Sequence, residues 1–345
     1  MSDLATVAKR AGVSRATAAR AFSQPELVRA STLARVMAAA AELSFRPNRL
    51  AQQLRTQATR IIGVLIPDLR NPVFTEQLQA MEIAARAQGY ALMVTTTGYD
   101  ASREAEIVEE MLCQRVDGLV LTVADAEHSE LLVKLEQESV PYVLVYNQPD
   151  SESVCAVSVD NRQAMHQATQ YLYSLGHRHI GMVAGPVAQS DRARLRYEGY
   201  CRAMEMCGLV RQPVIEMPHH TRARFELLAP WLEGPERLTA LLCSNDLLAL
   251  SVIGDLQRQG YRVPDDLSVI GFDGIELGEL TYPSLCSVVQ PRAAIGREAV
   301  EVLLARMRGE QPKIQRLPHQ LREGESAGPL QRSDTDARRT VPVST

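Results

Sequence analysis

From Ile61 onward the chain alternates short, continuous apolar runs with segments of helical period, and this alternation restricts the fold more than any other feature. Runs such as Ile61–Ile66, Ala91–Thr96, Gly118–Thr122, Tyr142–Tyr146, Ala156–Val159, His179–Val183, Ala240–Cys243 and Leu267–Phe272 read as strands buried on both faces. Between them, Thr75–Gln88, Ser102–Arg115, Arg162–Leu175, Arg192–Cys207, Asp246–Gln259 and Arg292–Arg308 read as helices. Strands that alternate with helices imply an α/β fold with parallel sheets wound on both faces. About ten such units exceed one modest sheet, so two doubly wound, Rossmann-like subdomains are expected, with a ligand between them at the carboxyl ends of strands. Crossings between the two are expected near Asp160–Asn161, Pro291 and Pro318–Arg322.

The chain opens differently. In "LATVAKRAGVSRATAARAF", Leu4, Val7, Ala8 and Ala11 mark one face of a short helix, and Gly12 suits its left-handed end. Ser14 is a good N-cap for a second helix, Arg15–Phe22, with Ala18, Ala21 and Phe22 inward and Arg15, Ala16 and Arg20 outward. Ser31 is placed to cap a third helix, Thr32–Leu43, with Leu33, Val36, Met37, Ala40 and Leu43 closing a small core. Two short helices about a glycine-containing turn make a helix-turn-helix, whose second helix enters the DNA major groove. Charge agrees. Residues 1–60 carry ten basic and three acidic residues, a net +7 on a chain whose total is −4, so the rest holds −11. A basic head on an acidic body suits a polyanion partner, with a merely solvated basic face as the alternative.

Other classes find little support. No Gly-rich phosphate or dinucleotide loop, GxSxG or HExxH stands in the sequence, and no carboxylates form an evident catalytic pair. No catalytic residue, metal site or cofactor is therefore expected. The six cysteines form no CxxC and no zinc-like spacing, which fits reduced, partly buried thiols and a cytoplasmic protein. No apolar run approaches ~18 residues, so a membrane span is not expected.

"VAKRAGVS", "RPNRLAQQLR", "GHRHIGMVAG", "NDLLAL" and "VPDDLSVIGFD" together resemble the LacI/GalR family of bacterial transcription regulators, from Leu4 to about Ala327. The resemblance implies a DNA-binding head (1–46), a hinge helix and linker (47–60), and an effector-binding and dimerising body similar to periplasmic sugar-binding proteins (61–327). Residues 328–345 hold many Ser, Thr, Asp, Arg and Pro residues and little apolar pattern, so a disordered tail is expected there. In the head the resemblance implies base reading by Arg15 and Ala16, and phosphate contacts by Ser14, Thr17 and Arg20. It places Asn48 as the hinge anchor, Ala51 against the groove floor, and Leu54 as a wedge between base steps. Ala18 and Ala19 stand where the family usually has valine and serine, and Ala19 removes a polar contact. In the body it implies Arg196, Asp273, Asn245 and Phe74 as effector-binding, with His219 or its neighbour His220 at the cleft aromatic position. Asp246 reads as a helix cap. The expected function is a homodimeric repressor whose affinity for a palindromic operator is switched by a sugar or sugar acid. The competing readings are a cytosolic sugar sensor with a degenerate head, and an enzyme on a doubly wound fold.

Overall fold

The structure, a computed structural model, describes residues 3–45, 58–151 and 154–331. It divides into two units between Thr59 and Arg60. In the first, α1 (Leu4–Ala11), α2 (Arg15–Ser23) and α3 (Ala30–Glu42) enclose Val7, Ala8, Ala11, Ala18, Ala21, Val36, Ala39 and Ala40. Alanine dominates that core, so the helices pack closely around a small volume. Gly12 ends α1 at φ +63°, where a side chain would be strained. Asp3 caps α1 by accepting the Thr6 N–H at 2.8 Å, and Ser14 caps α2 by accepting the Thr17 N–H at 3.0 Å. Two expectations fail here. Ser31 lies inside the first turn of α3, whose cap position is Arg29 with no side-chain bond. Met37 is 41% exposed, on the flank of the α3 stripe that buries Val36 and Ala40, so it does not close the core.

The second unit holds two six-stranded sheets. The N-lobe contains β1 (Ile61–Ile66), α4 (Pro72–Ala87), β2 (Ala91–Thr96), α5 (Glu104–Cys113), β3 (Gly118–Leu121), α6 (Glu130–Gln137), β4 (Tyr142–Val145) and β5 (Ala156–Ser158). The C-lobe contains α7 (Asn161–Ser174), β6 (Ile180–Ala184), α8 (Asp191–Met206), β7 (Ile215–Glu216), α9 (Phe225–Leu228), β8 (Ala240–Cys243), α10 (Asp246–Arg258), β9 (Ser268–Asp273) and β10 (Cys286–Val289). The chain then returns to the N-lobe for α11 (Arg292–Met307) and β11 (Gln315–Arg316), and crosses again for β12 (Gln320–Arg322). Strand orders are β11-β5-β4-β3-β1-β2 and β12-β10-β9-β8-β6-β7. Every pairing is parallel except β10 with β12. The apolar runs are buried on both faces because successive side chains alternate. Ile62, Val64 and Ile66 enter the core under α4 and α11, and Leu65 enters the opposite one with Leu119 and Leu121.

The lobes are joined at residues 159–161 and 290–291, as expected, and at 317–319, the start of the expected Pro318–Arg322, whose last three residues are already β12 of the C-lobe. The tail expected from Gly328 does not begin there. Gly328 N–H donates to Ser268 Oγ at 3.1 Å, the Gly328 carbonyl lies 3.1 Å from His177 Nε2, and Leu330 N–H donates to the Leu175 carbonyl at 2.9 Å. These bonds fasten residues 328–330 to the C-lobe.

Candidate functional site

Parallel sheets gather their strand ends, and both lobes present those ends to one cleft. From the N-lobe come Asn71, Phe74, Tyr99 and Tyr146; from the C-lobe come Ser190, Arg192, Arg196, His220, Ser244, Asn245 and Asp273, with Gln290 at a crossing. The walls stand close together and leave a cavity of about 40 Å³.

Arg196 lies in the middle turns of α8 and is buried. Its guanidinium lies 3.5 Å over the Phe272 ring, donates from Nε to Asn161 Oδ1 at 2.9 Å, and donates from Nη1 to the Ser244 carbonyl. Asp273 Oδ1 is 3.8 Å from Nη1, an ion pair too long for a hydrogen bond. Burial pulls the Arg196 pKa down to about 10, the Asp273 charge opposing. Burial pushes Asp273 up to about 6 against the pull of Arg196. Asp273 accepts one bond from Gln290 Nε2 at 2.8 Å, and Arg292 Nη1 binds its carbonyl at 2.6 Å. Its backbone sits at φ +118°, unusual for a side-chain-bearing residue, so its place at the strand end is held by these neighbours. Gln290 Oε1 is buried in the cleft wall without a partner among the described residues.

Asn245 is the N-cap of α10, its Oδ1 accepting the Leu248 N–H at 2.9 Å and its Nδ2 donating to the His220 carbonyl at 2.7 Å. The cap expected of Asp246 is thus made by Asn245. Asp246 is fully buried instead, accepting from Ser287 Oγ at 2.5 Å and Ile275 N–H at 2.8 Å, and burial pushes it up to about 8. Phe74 belongs to both the N-lobe core and the cleft, edge-on to Tyr146 with ring centroids 5.8 Å apart.

His219 is exposed and does not line the cleft; its neighbour His220 does. The His220 ring stacks on Tyr99 at 4.1 Å. A Cβ at Gly185 would meet His220 Cα at 2.6 Å, so only glycine lets the two segments approach. Burial, then the Arg192 charge, pulls His220 down to about 4, and it is neutral at pH 7. Tyr99, Tyr146, Asn71 and Gln290 escaped the sequence reading. Tyr146 and Gln290 directly follow strand ends and Asn71 opens a helix, which is the signal that could have found them, whereas Tyr99 lies in the loop three residues beyond β2.

In the first unit, Ser14, Arg15, Ala16, Ala19 and Arg20 are exposed along α2 and Thr17 is half-buried. Ser14 Oγ and Thr17 Oγ1 lie 2.8 Å apart, so both hydroxyls also serve the cap. Ala18 is fully buried, so its replacement of valine concerns packing, whereas that of Ala19 concerns the outer face. Arg10 is paired with Glu42, which removes one positive charge from those open to a partner. Asn48, Ala51 and Leu54 lie outside the described residues. Among the described residues no helix is long and apolar enough to cross a membrane, and no group of three His, Cys, Asp or Glu side chains could hold a metal.

A helix-turn-helix unit followed by a bilobal, sugar-binding type of body defines a DNA-binding regulator with an effector domain. Residues 3–48 match the model for bacterial regulatory proteins of the lacI family, and residues 59–324 match that for periplasmic binding proteins and the sugar binding domain of the LacI family. The chain belongs to the LacI family. It is 36% identical over 330 residues to the HTH-type transcriptional regulator GntR of Escherichia coli (strain K12), covering 94% of this chain and 98% of that one. It is 32% identical over 308 residues to the HTH-type transcriptional repressor CytR of the same strain, covering 88% and 89%. The crystal structure of the Lac repressor dimer bound to operator and the anti-inducer ONPF matches with a TM-score of 0.83 at 28% identity, over 95% of this chain and 99% of that one. These relatives are transcription regulators.

Proposed function

We propose that the chain acts in the cytoplasm as a homodimeric repressor of a palindromic operator, released or tightened by a small acidic sugar bound between the lobes. The observation that carries the ligand class is the chemistry of the cleft. Arg192 and Arg196 offer buried donors, while Asp273 and the unpartnered Gln290 Oε1 offer buried acceptors. A carboxylate suits the first pair, and hydroxyl donors suit the second. Tyr99 and His220 stack on each other across the cleft, and their ring faces become open to a sugar when the lobes part. The neutral His220 adds no charge. Nothing in this set resembles a nucleophile with its base, so the cleft reads as a place for binding rather than turnover.

In the head, Arg15 reads a guanine, Ala16 offers a methyl contact, and Ser14, Thr17 and Arg20 hold phosphates. The dimer is supported by the Lac repressor dimer that this chain resembles and by the exposed Ile83, Leu277, Leu280 and Tyr282 of the body. Asn48 and Ala51 seat a hinge helix and Leu54 opens a base step, so lobe angle and DNA affinity are coupled through residues 47–60.

Selection of the purified protein against random duplex DNA tests this reading. Recovery of a palindrome with a central pyrimidine–purine step is expected, and its retention must change when sugar acids are added. Retention of all sequences alike would instead support a sensor with a degenerate head. Calorimetry showing tight binding to purines alone would overturn the ligand class.

A further inference from the structure

The two lobes are joined at the cleft by bonds made wholly between protein atoms, and these centre on the first residue of α8. The Asp191 carboxylate of the C-lobe is buried. Its oxygens accept from Asn147 Nδ2 of the N-lobe at 2.8 and 3.0 Å, and Oδ2 also accepts the Ala126 N–H at 3.1 Å. Asp191 N–H donates to the Ala124 carbonyl at 2.7 Å, and Arg192 Nη1 donates to the Val123 carbonyl at 2.7 Å and to Asp191 Oδ1 at 3.2 Å. Asn147 is itself immobilised. Its Oδ1 accepts the Val123 N–H at 3.0 Å and its Nδ2 also donates to the Val123 carbonyl at 2.9 Å. A fully buried amide is thereby aimed across the cleft at a carboxylate that another lobe carries.

We propose that Asp191 and Asn147 form a clasp that sets the balance between closed and open lobes, and that this balance fixes how strongly the protein responds to its effector. When the lobes part, each group returns to water, so the clasp contributes only to the closed form. Charge-assisted bonds such as these are stronger than neutral ones. Losing one shifts the closed-to-open ratio about tenfold toward open. Apparent effector affinity falls with the closed fraction. Arg192 links the two halves of the device, because it lines the cleft and also grips the Val123 carbonyl. An anion that engages its remaining N–H groups is tied to both lobes at once. The clasp itself stands without the effector reading; its influence on DNA rests on that reading.

The test uses the full chain and three variants: Asn147→Asp, Asp191→Asn and the two together. Asn147→Asp sets carboxylate against carboxylate, and the double variant restores one carboxylate and one amide in exchanged places. Hydrogen–deuterium exchange is followed in segment 189–195, with β8 as an internal standard of folding. Asn147→Asp is expected to speed exchange about tenfold in segment 189–195 while β8 is unchanged, and the double variant to recover part of that protection, since an aspartate at 147 cannot donate to the Val123 carbonyl. Parent-like exchange of 189–195 in Asn147→Asp, or a double variant as fast there as the single one, overturns the clasp. If β8 also loosens in Asn147→Asp, Asn147→Ala replaces it under the same criteria. Retention of the same variants on the selected operator reads the coupling. An opened variant with unchanged operator retention and an unchanged response to sugar acids overturns the regulatory half and leaves the clasp standing.

Discussion

Removing Arg196 has a penalty that depends on pH in a direction the cleft dictates. In Arg196→Ala, Asn161 Oδ1 and the Ser244 carbonyl lose their donor, Phe272 loses a stacked cation, and Asp273 loses its counter-charge. Breaking a buried pair by deleting one partner costs about 3–5 kcal/mol when the remaining charge cannot escape. Here it can escape by taking a proton. The Asp273 pKa is near 6 against a usual 3.8. It is raised in the folded state, so its contribution to stability is full at low pH and is lost as pH rises through about 6. Without Arg196 the folded pKa rises further, and that loss extends to higher pH. At pH 5.5 much of Asp273 is already neutral and the loss of the pair costs little. At pH 8, holding it neutral costs roughly 1.4 kcal/mol for each pH unit above its parent pKa. Relief of burying the guanidinium offsets part of the lost hydrogen bonds. The net expectation is destabilisation by about 1–2 kcal/mol at pH 5.5 and about 3 kcal/mol at pH 8. Urea unfolding followed by far-ultraviolet circular dichroism at both pH values measures it. A penalty equal at the two pH values, or below about 0.5 kcal/mol at both, would refute the argument from a buried, partly compensated pair. Effector response should be abolished, while operator binding survives.

His220→Ala should weaken sugar-acid binding at least about tenfold by calorimetry and His219→Ala by less than about twofold, since only the first lines the cleft. Equal losses would mean that the exposed His219 reaches the ligand. Glu104, which accepts the Ala124 N–H at 2.7 Å, is pushed by burial up to about 7 from 4.5, so its stability contribution falls as pH rises between those values. Glu104→Gln keeps an acceptor without the charge, and should gain about 2 kcal/mol over the parent at pH 8 and nothing at pH 4.5. A gain that does not vary with pH counts against burial as the cause. Ser14→Ala removes the α2 cap and should destabilise the head by about 1 kcal/mol in thermal melts, leaving the body transition in place. Leu54→Ala should reduce operator affinity more than affinity for random DNA; equal reductions would argue against a wedge.

Much of the cleft was legible because parallel sheets collect their strand ends. Once "VIGFD" and "LLCSN" were read as strands, Asp273 and Asn245 had to face a cleft. Arg196 sits one helical turn from Arg192 on α8 but needed the family pattern to be singled out. Gln290 was lost because β10, with a cysteine and a serine in its four residues, carries a weak apolar signal. β7, β11 and β12 are two or three residues long, too short for any period to show. The choice between His219 and His220 turned on a one-residue register after β7, and only packing against Gly185 and Tyr99 decides it. Met37 and Ser31 failed differently. Met37 sits on the flank of the buried stripe of α3 and turns to solvent, and α3 starts at Ala30, one residue before Ser31, its best-looking cap.

The order in which the strands join the sheets bears on how the protein must be made. The face of the N-lobe sheet that holds Ile62, Val64 and Val120 is covered by Ile295, Ala299, Val300 and Leu303 of α11, which leave the ribosome only after the whole of β6 to β10. Neither lobe is a contiguous piece of chain. While the C-lobe is being synthesised, the nascent N-lobe carries an open apolar face and an unfilled edge at β5, the surfaces on which chaperones act and aggregates begin. A message cut short before Arg292 would therefore yield not one finished lobe but two unfinished ones.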